Sequence, residues 1–493
     1  MIEEATFSEK QTGIKLCLGL LSLLLINWIF KFVFTPPVSE MGPYSLVNTP
    51  DWMAALKVIL AHDPISLLLP VNYPDTDSKS LWWTTTLVPL YYFYQMFSAF
   101  GVYIVTSSLL VITVYLCSWY TLSSLVFSFT LGILIALGTQ LNYALTMGVV
   151  LTLYILLAYI AINMTLCVFI LRTKAMNWHH YVCFFISLLF CVLGSEFWLN
   201  YAVSLIIALV FLIVWERHHK HDEFKRKARI LLGIIGFTVI AYLLAETHAA
   251  HKYFQAGVEE ELIFTYSNLL LMIDDLIVNY FTLLYMALSN YLPSFLFFSN
   301  SATYLGEARI IAEQQGYHAQ KTQLVMQSHL FEWRFFAGVF VTLFGVFGWK
   351  LFHLCWKDYK NKTSLILFIL WIAVVTGFST HLMIKMRPYN ATPMLSYKVV
   401  FSTFAFSIML AYLAMISQQY FKNAKQWSRL FAGFIIVVFL AAYTRPGAMN
   451  AGLSATGMTG YSDPVAQTRQ LASKVKHKIK QLIHPSRKTG ASQ

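Results

Sequence analysis

The segment Gly13–Phe34, GIKLCLGLLSLLLINWIFKFVF, is a continuous apolar run that is long enough to cross a lipid bilayer as one helix. It follows a polar N-terminal stretch of mixed charge. The run is longer than the h-region of a signal peptide, and it lacks a small-residue cleavage site. It therefore predicts a retained anchor and a first membrane span.

Similar runs recur along the chain. Of its 493 residues, 58% are hydrophobic and 12% are charged, whereas soluble domains have about 45–50% and about 25%. This composition excludes a soluble globular enzyme, a disordered chain and a disulfide-stapled secreted scaffold. We predict an all-α polytopic integral membrane protein with about eleven transmembrane helices, at residues 13–34, 98–118, 122–139, 144–171, 178–196, 198–215, 230–247, 334–355, 363–383, 396–417 and 429–444.

Basic side chains cluster in three short segments, Arg217–Arg229, Lys350–Lys362 and Lys422–Arg429. Such clusters mark cytoplasmic loops, and eleven spans place an even number of crossings between them. Two long loops, 35–97 and 248–333, and a short turn, 384–395, then face the other side. The net charge of +12 is expected from the basic cytoplasmic loops of a polytopic protein and requires no acidic partner. The predicted partners therefore include membrane lipids and not nucleic acid.

The pattern divides the chain into four parts: a transmembrane module over 1–247, a second long outer loop over 248–333, a C-terminal bundle over 334–444 and a tail over 445–493. Residues 266–298 are apolar but contain Asp274 and Asp275. Because an extra crossing would break the parity of the spans, we interpret them as short interfacial helices. The tail is predicted to be a flexible linker at 445–464, followed by a basic amphipathic helix at 465–483.

The first outer loop is rich in acidic residues. Thr49, Pro50 and Asp51 have the pattern of a helix start, which predicts a short surface helix over 52–61. Asp51 would then lie in its first turn, where an acid also simply compensates the helix dipole. Further on, Asp75 and Asp77 are spaced as oxygen ligands of a divalent cation such as Mg²⁺ or Mn²⁺, although a solvated turn has the same pattern.

Several common classes of site have no counterpart in the sequence. All six cysteines lie within or at the ends of apolar runs, and their spacing suggests neither a disulfide framework nor a zinc site. The sequence also has no P-loop, dinucleotide fingerprint, HExxH motif or nucleophile elbow.

The motif Pro89-Leu90-Tyr91-Tyr92 lies in the last part of the first outer loop, and Phe100-Gly101 comes a few residues later. This pattern resembles the GT-C superfamily of polytopic glycosyltransferases, in its protein mannosyltransferase-like branches. The usual His-Pro-Pro opening of that family is reduced here to Leu87-Val88-Pro89. The order of spans and loops over most of residues 1–418 is also similar to that of the family.

The resemblance implies a lipid-linked sugar donor and an acidic residue in the first outer loop that serves as general base or metal ligand. Glu40, Asp51 and Asp63 are the candidates, with Asp51 preferred. The family's acid usually stands closer to the membrane than Asp51 and often beside a second acid, an arrangement that is missing here. Sugar transfer to a hydroxyl needs such a proton acceptor within about 3 Å of the nucleophile.

The phosphate leaving group needs cationic stabilisation. His381, Lys385 and Arg387 lie in the turn that follows the ninth predicted span, on the same predicted face as the first outer loop. A guanidinium can bind phosphate oxygens in a bidentate manner, with the lysine as a neighbouring point charge. The alternative is that these side chains only anchor a span end at the membrane interface.

Three further residues are candidates for the same cavity. Glu246 and His248 follow the seventh span, and Glu196 lies between the fifth and sixth spans. Acids at membrane depth are costly and usually functional, but Glu196 could also sit in a tight turn just outside the bilayer.

The sequence thus predicts a membrane glycosyltransferase that moves a sugar from a polyprenyl-phosphate-linked donor to a glycan, lipid or protein acceptor at the non-cytoplasmic face. Its location would be a bacterial inner membrane, or alternatively the endoplasmic reticulum. A lipid-linked glycan ligase or polymerase is one alternative, although its large outer loop usually comes late in the chain. A transporter or flippase is another, but no convincing internal repeat is present.

Overall fold

The regular secondary structure described in the computed structural model of the protein is entirely α-helical. The structure describes residues 2–34, 84–97, 99–138, 151–173, 177–194, 198–216, 222–254, 398–421 and 423–455. The helices in these ranges are α1 (Ile2–Phe34), α2 (Thr84–Met96), α3 (Ala99–Leu122), α4 (Leu125–Leu137), α5 (Leu151–Arg172), α6 (Trp178–Val192), α7 (Trp198–Glu216), α8 (Asp222–Phe254), α9 (Lys398–Tyr420) and α10 (Ala424–Ala455).

Five of the described helices, α1, α3, α5, α8 and α10, are long and apolar enough to cross a membrane. Helices α4, α6, α7 and α9 contain shorter apolar stretches. The protein is therefore a membrane-embedded helical protein, as its composition predicts. The count of eleven spans stays a prediction, because the crossings at 334–355 and 363–383 and the interfacial segment at 266–298 lie outside the described residues.

Several pairs of the described helices pack antiparallel, as is common in a chain that crosses a bilayer repeatedly. Helix α1 runs antiparallel to α3, because Asn27 Nδ2 donates to Ser107 Oγ at 3.1 Å while the Tyr115 hydroxyl donates to the Leu16 carbonyl. Helices α5 and α6 are also antiparallel, with Tyr159 against Phe190 at one level. Helices α1 and α6 finish at the same end of the bundle, which we call the α2 end. We call the opposite end the basic end.

At the basic end, two cations bind carbonyl groups that helix C-termini leave without intrahelical donors. Arg172 Nη1 donates to the Thr121 carbonyl at 2.7 Å, and Lys227 Nζ donates to the Thr173 carbonyl. Lys227 also pairs with Glu223 at 2.9 Å. A positive charge at the C-terminus of a helix is favoured by the helix dipole, so these contacts fasten α3, α5 and α8 together.

Helix α1 approaches its neighbours closely through two glycines. A Cβ atom on Gly19 would lie 2.5 Å from the Tyr115 hydroxyl, and one on Gly132 of α4 would lie 2.6 Å from Leu23 Cδ1. Small residues at such crossings allow close packing, which drives helix association in membranes.

Several helix boundaries differ from the predicted ones. Helix α10 continues to Ala455, so the flexible linker predicted from residue 445 does not begin there. Extending an existing helix costs less than nucleating one, which explains why the helix outlasts its apolar stretch. Helix α8 likewise extends to Phe254, into the predicted second outer loop, and α2 forms within the last part of the predicted first outer loop.

A buried amide joins α5, α6 and α7. Asn163 Nδ2 donates to the Phe184 carbonyl at 3.1 Å and to Ser187 Oγ at 2.6 Å, and its Oδ1 accepts a 2.6 Å bond from the Tyr201 hydroxyl. Asn163 is 0% exposed. Its amide therefore connects three helices inside the bundle.

We expect Asn163→Ala to lower the free energy of unfolding by about 1–2 kcal/mol, because it leaves buried polar partners unsatisfied. Thermal unfolding of the purified full-length protein can be followed with a thiol-reactive dye, since Cys167 and Cys191 are buried and free. Ile162→Ala is the control, because Ile162 is 39% exposed beside Asn163. Equal unfolding temperatures for the two variants would contradict this role of Asn163.

Candidate functional site

Most of the residues predicted to form a site lie outside the described part of the chain. This holds for the acids of the first outer loop, for the basic turn and for one acid between spans: Glu40, Asp51, Asp63, Asp75, Asp77, Glu196, His381, Lys385 and Arg387. Glu246 and His248 lie on the helical backbone of α8. The roles of all these residues stay predictions, and the described site is built from other side chains.

The α2 end contains a buried lysine. Lys31 lies in the last turn of α1 and is 1% exposed. Its Nζ atom lies 5.2 Å from the centre of the Tyr103 ring of α3 and 6.0 Å from the centre of the Tyr154 ring of α5. The side chains of Tyr103 and Tyr154 are hydrogen-bonded to each other. Three helices thus meet around one ammonium group, which the two aromatic faces stabilise.

Lys31 belongs to a buried face of α1 that also carries Asn27, one turn deeper. Asn27 Nδ2 donates to Ser107 Oγ at 3.1 Å and to Ser108 Oγ at 3.4 Å. Both serine hydroxyls donate to the Ile104 carbonyl, so they can only accept from Asn27, which fixes the orientation of its amide. Asn27 Oδ1 has no hydrogen-bond partner among the described residues.

Helix α2 is docked by its first turn against the end of α6. The Thr85 amide donates to the Leu193 carbonyl at 3.1 Å and the Thr85 hydroxyl donates to the Phe190 carbonyl at 2.8 Å. The Thr86 hydroxyl donates to the Gly194 carbonyl at 2.7 Å. Donors at the N-terminus of α2 therefore bind carbonyl groups that the C-terminus of α6 leaves without intrahelical donors.

Pro89, in the Pro-Leu-Tyr-Tyr motif, explains a further contact. Proline has no N–H and cannot donate to the carbonyl four residues before it, which leaves the Thr85 carbonyl free within α2. The Tyr159 hydroxyl of α5 donates to this carbonyl at 2.9 Å. The proline thus creates an acceptor through which α2 is attached to α5.

This docking point is recessed below the outer end of α5. Tyr159 follows Leu151, where α5 begins, by eight residues, or about 12 Å of helix. Gly194 lies at a similar depth, because a Cβ atom on it would contact Leu156. Helix α2 therefore begins at this depth within the bundle, and α7 begins four residues after Gly194.

The first turn of α7 contains two buried side-chain donors. Trp198 is 0% exposed, and its ring packs edge-to-face on Tyr242 with 5.2 Å between the ring centres. Asn200 is 5% exposed. Neither Trp198 Nε1 nor Asn200 Nδ2 has a hydrogen-bond partner among the described residues.

Sequence reasoning missed these side chains. A usable signal existed for α1, since Asn27 and Lys31 are polar residues four apart in an apolar run and therefore share a helix face. Trp198 and Asn200 gave no comparable signal, because the burial of their polar atoms depends on which helices surround α7.

Within the described part of the chain, no group of three or more His, Cys, Asp or Glu side chains could hold a metal ion. The described cysteines are free thiols: Cys17, Cys117, Cys167, Cys183 and Cys191. The predicted divalent-cation site at Asp75 and Asp77 lies outside these residues.

In comparisons with known proteins, no family model, curated protein or solved structure matches the chain.

We expect Tyr159→Phe to loosen α2, because it removes the donor to the Thr85 carbonyl. Loss of one hydrogen bond of about 1 kcal/mol should raise the hydrogen-exchange rate of the α2 amides about fivefold. Mass spectrometry of peptides covering Thr84–Met96 measures this rate. Tyr120→Phe is the control, since Tyr120 is 59% exposed. Unchanged exchange in Tyr159→Phe would show that this bond does not hold α2.

Proposed function

We propose that the protein is a membrane glycosyltransferase that uses a polyprenyl-phosphate-linked sugar at the non-cytoplasmic face. The observation that supports this most is the buried ammonium group of Lys31 at the α2 end. Ionisable residues inside membrane helices are costly, and they commonly mark a site for substrate or charge.

The basic clusters support the orientation. Lys227 and Arg172 lie at the basic end, which the distribution of positive charge assigns to the cytoplasm. The α2 end is then non-cytoplasmic. Lys31 lies just before the first outer loop, where Glu40, Asp51 and Asp63 follow in sequence.

A buried lysine at this end suits a site that receives anionic groups. Within the spans and shorter apolar helices that the structure describes, Glu223 is the only acidic residue, and it lies at the basic end. In the proposed transferase, a loop carboxylate and a donor phosphate are the anionic groups that would share the site at the α2 end.

The proposed reaction is a single displacement. The acceptor hydroxyl oxygen forms a bond to the anomeric carbon, and the bond from that carbon to the donor phosphate breaks. The electron pair of the broken bond leaves with the polyprenyl phosphate, and Asp51 takes the proton of the hydroxyl. Lys31, with Lys385, Arg387 and His381, would stabilise the charge that develops on the phosphate.

The resemblance to the GT-C superfamily adds a second line of support. Its Pro-Leu-Tyr-Tyr motif lies on α2, where Pro89 frees the carbonyl that binds Tyr159. The motif would then place the end of the first outer loop at a fixed depth. Mg²⁺ or Mn²⁺ at Asp75 and Asp77 is a separate proposal, tested by transfer in the presence of a chelator.

A transporter or flippase is the second candidate. It is favoured by the same buried polar groups, Lys31 and Asn27, since transport pathways also contain ionisable residues inside the membrane. Movement of a lipid-linked sugar across sealed vesicles without glycosyl transfer would favour this alternative. A glycan ligase or polymerase would instead transfer a preassembled lipid-linked glycan and not a single sugar.

We expect Lys31→Gln to reduce transfer from polyprenyl-phosphate-linked sugars at least a hundredfold, since it removes a charge-assisted contact from a buried site. Lys31→Arg should retain part of the activity, because it keeps the charge. The assay uses full-length protein in lipid nanodiscs with radiolabelled donors. Lys425→Gln is the control, because Lys425 is an exposed lysine in the first turn of α10. Equal activity in Lys31→Gln and the control would reject the role of Lys31.

We also expect Asp51→Asn to abolish transfer without loss of expression, because an amide cannot take the proton of the acceptor. Arg387→Ala should weaken donor binding instead, which raises KM more than it lowers kcat. Steady-state kinetics in the same nanodiscs separate the two effects. Unchanged turnover in Asp51→Asn would assign the base to Glu40 or Asp63.

A further inference from the structure

The N-terminus of α7 differs from the rest of the described bundle in its unused indole and amide donors, whereas the other unpartnered side-chain donors are the hydroxyls of Ser128 and Tyr181. Other buried or half-buried indole and amide groups find acceptors: Trp28 Nε1 donates to Ser108, Trp427 Nε1 donates to Ser417, and Asn163 Nδ2 donates to Ser187. Trp198 and Asn200 do not, although both are at least nine-tenths buried. A buried donor without a partner costs about 1–3 kcal/mol, and here two such donors lie in one helical turn.

Both donors belong to the first turn of α7, at its N-terminal end. Side chains of an α-helix tilt toward its N-terminus, so the side chains of the first turn extend toward the N-terminal end of α7. Trp198 and Asn200 are two residues apart, which places them about 200° apart around the axis. They therefore flank the helix end on two sides, and a ligand that reaches both must cover that end.

The chemistry of the group points to an oxygen-rich anion. An α-helix leaves its first four N–H groups without intrahelical acceptors and carries a partial positive charge at that end. Trp198 Nε1 and Asn200 Nδ2 can both donate hydrogen bonds but cannot accept them. A phosphate group supplies acceptor oxygens in several directions and is the anion for which helix N-termini are suited. Glu196 lies outside the described residues, and the site is defined without it.

We propose that the N-terminus of α7 binds a phosphate group, through Trp198 Nε1, Asn200 Nδ2 and the first-turn amides. The site lies close to the depth where α2 docks, because Tyr201, at the start of α7, donates to Asn163 of α5, one turn from Tyr159, which donates to α2. The identity of this phosphate rests on the proposed function: it is the phosphate of the lipid-linked donor or of its polyprenyl phosphate product. Free inorganic phosphate has the same chemistry and is the other source to be tested.

The test measures the binding of polyprenyl phosphate and of inorganic phosphate to full-length protein in nanodiscs of zwitterionic lipid. Asn200→Asp keeps the side-chain size but puts a negative charge at the helix end, where an acid favours the fold and opposes an anion. Trp198→Phe keeps the ring that packs on Tyr242 and removes the N–H. We expect affinity for polyprenyl phosphate to fall at least tenfold in Asn200→Asp and about tenfold in Trp198→Phe.

The matched controls carry the same two changes at the start of α10. Asn423 caps that helix through the amides of Lys425 and Gln426, and Trp427 donates to Ser417. Asn423→Asp and Trp427→Phe should leave polyprenyl phosphate binding unchanged. Loss of binding only in the α7 variants supports the site, and equal binding in all variants overturns it.

Two further outcomes separate this proposal from the proposed function. Tight binding of inorganic phosphate without binding of polyprenyl phosphate would overturn the assignment to the donor. Polyprenyl phosphate binding that depends on Trp198 and Asn200, in a protein that transfers no sugar, would support the site and reject the transferase. In that case the site would belong to a protein that recognises the lipid without this chemistry.

Discussion

The requirement that polar groups inside a membrane be satisfied within the protein determines most of this structure. Lipid tails supply no hydrogen bonds, so buried amides, hydroxyls and terminal carbonyls find their partners within the protein, in their own helix or in a neighbouring one. Asn163 meets this requirement for α5, α6 and α7, and Arg172 does so at the end of α3. These contacts set which helices are neighbours and at what depth, since apolar packing alone would permit sliding.

The same requirement explains how α2 is placed. A proline inside a helix normally weakens it by removing one hydrogen bond, but here the freed Thr85 carbonyl receives the Tyr159 hydroxyl. The local defect becomes a tertiary contact, and the first turn of α2 is held against the end of α6 by Thr86 as well. The start of α2 is thereby fixed about 12 Å below the start of α5.

The existence of the helices could be predicted from the sequence, because long apolar runs such as Gly13–Phe34 have few alternatives in a membrane. Helix α2 was not predicted, since it is short and contains Pro89, and its stability depends on Tyr159, which is distant in sequence. Lys31 was missed for a related reason. In sequence it resembles a lysine near a span end that extends to the membrane interface, and only the packing of Tyr103 and Tyr154 buries it.

The two groups of unusual side chains at the α2 end have different electrostatic characters. Lys31 contributes an ionisable amino group beside two aromatic rings, whereas α7 contributes the weaker positive end of a helix together with two neutral donors. Both favour anions. Tyr154, beside Lys31, and Tyr159, which holds α2, lie on adjacent turns of α5. A site for a single inorganic ion would need only one of these two groups of side chains. A lipid-linked sugar phosphate, which has a charged group and an extended polar head, gives a reason for both to lie at the same end of the bundle.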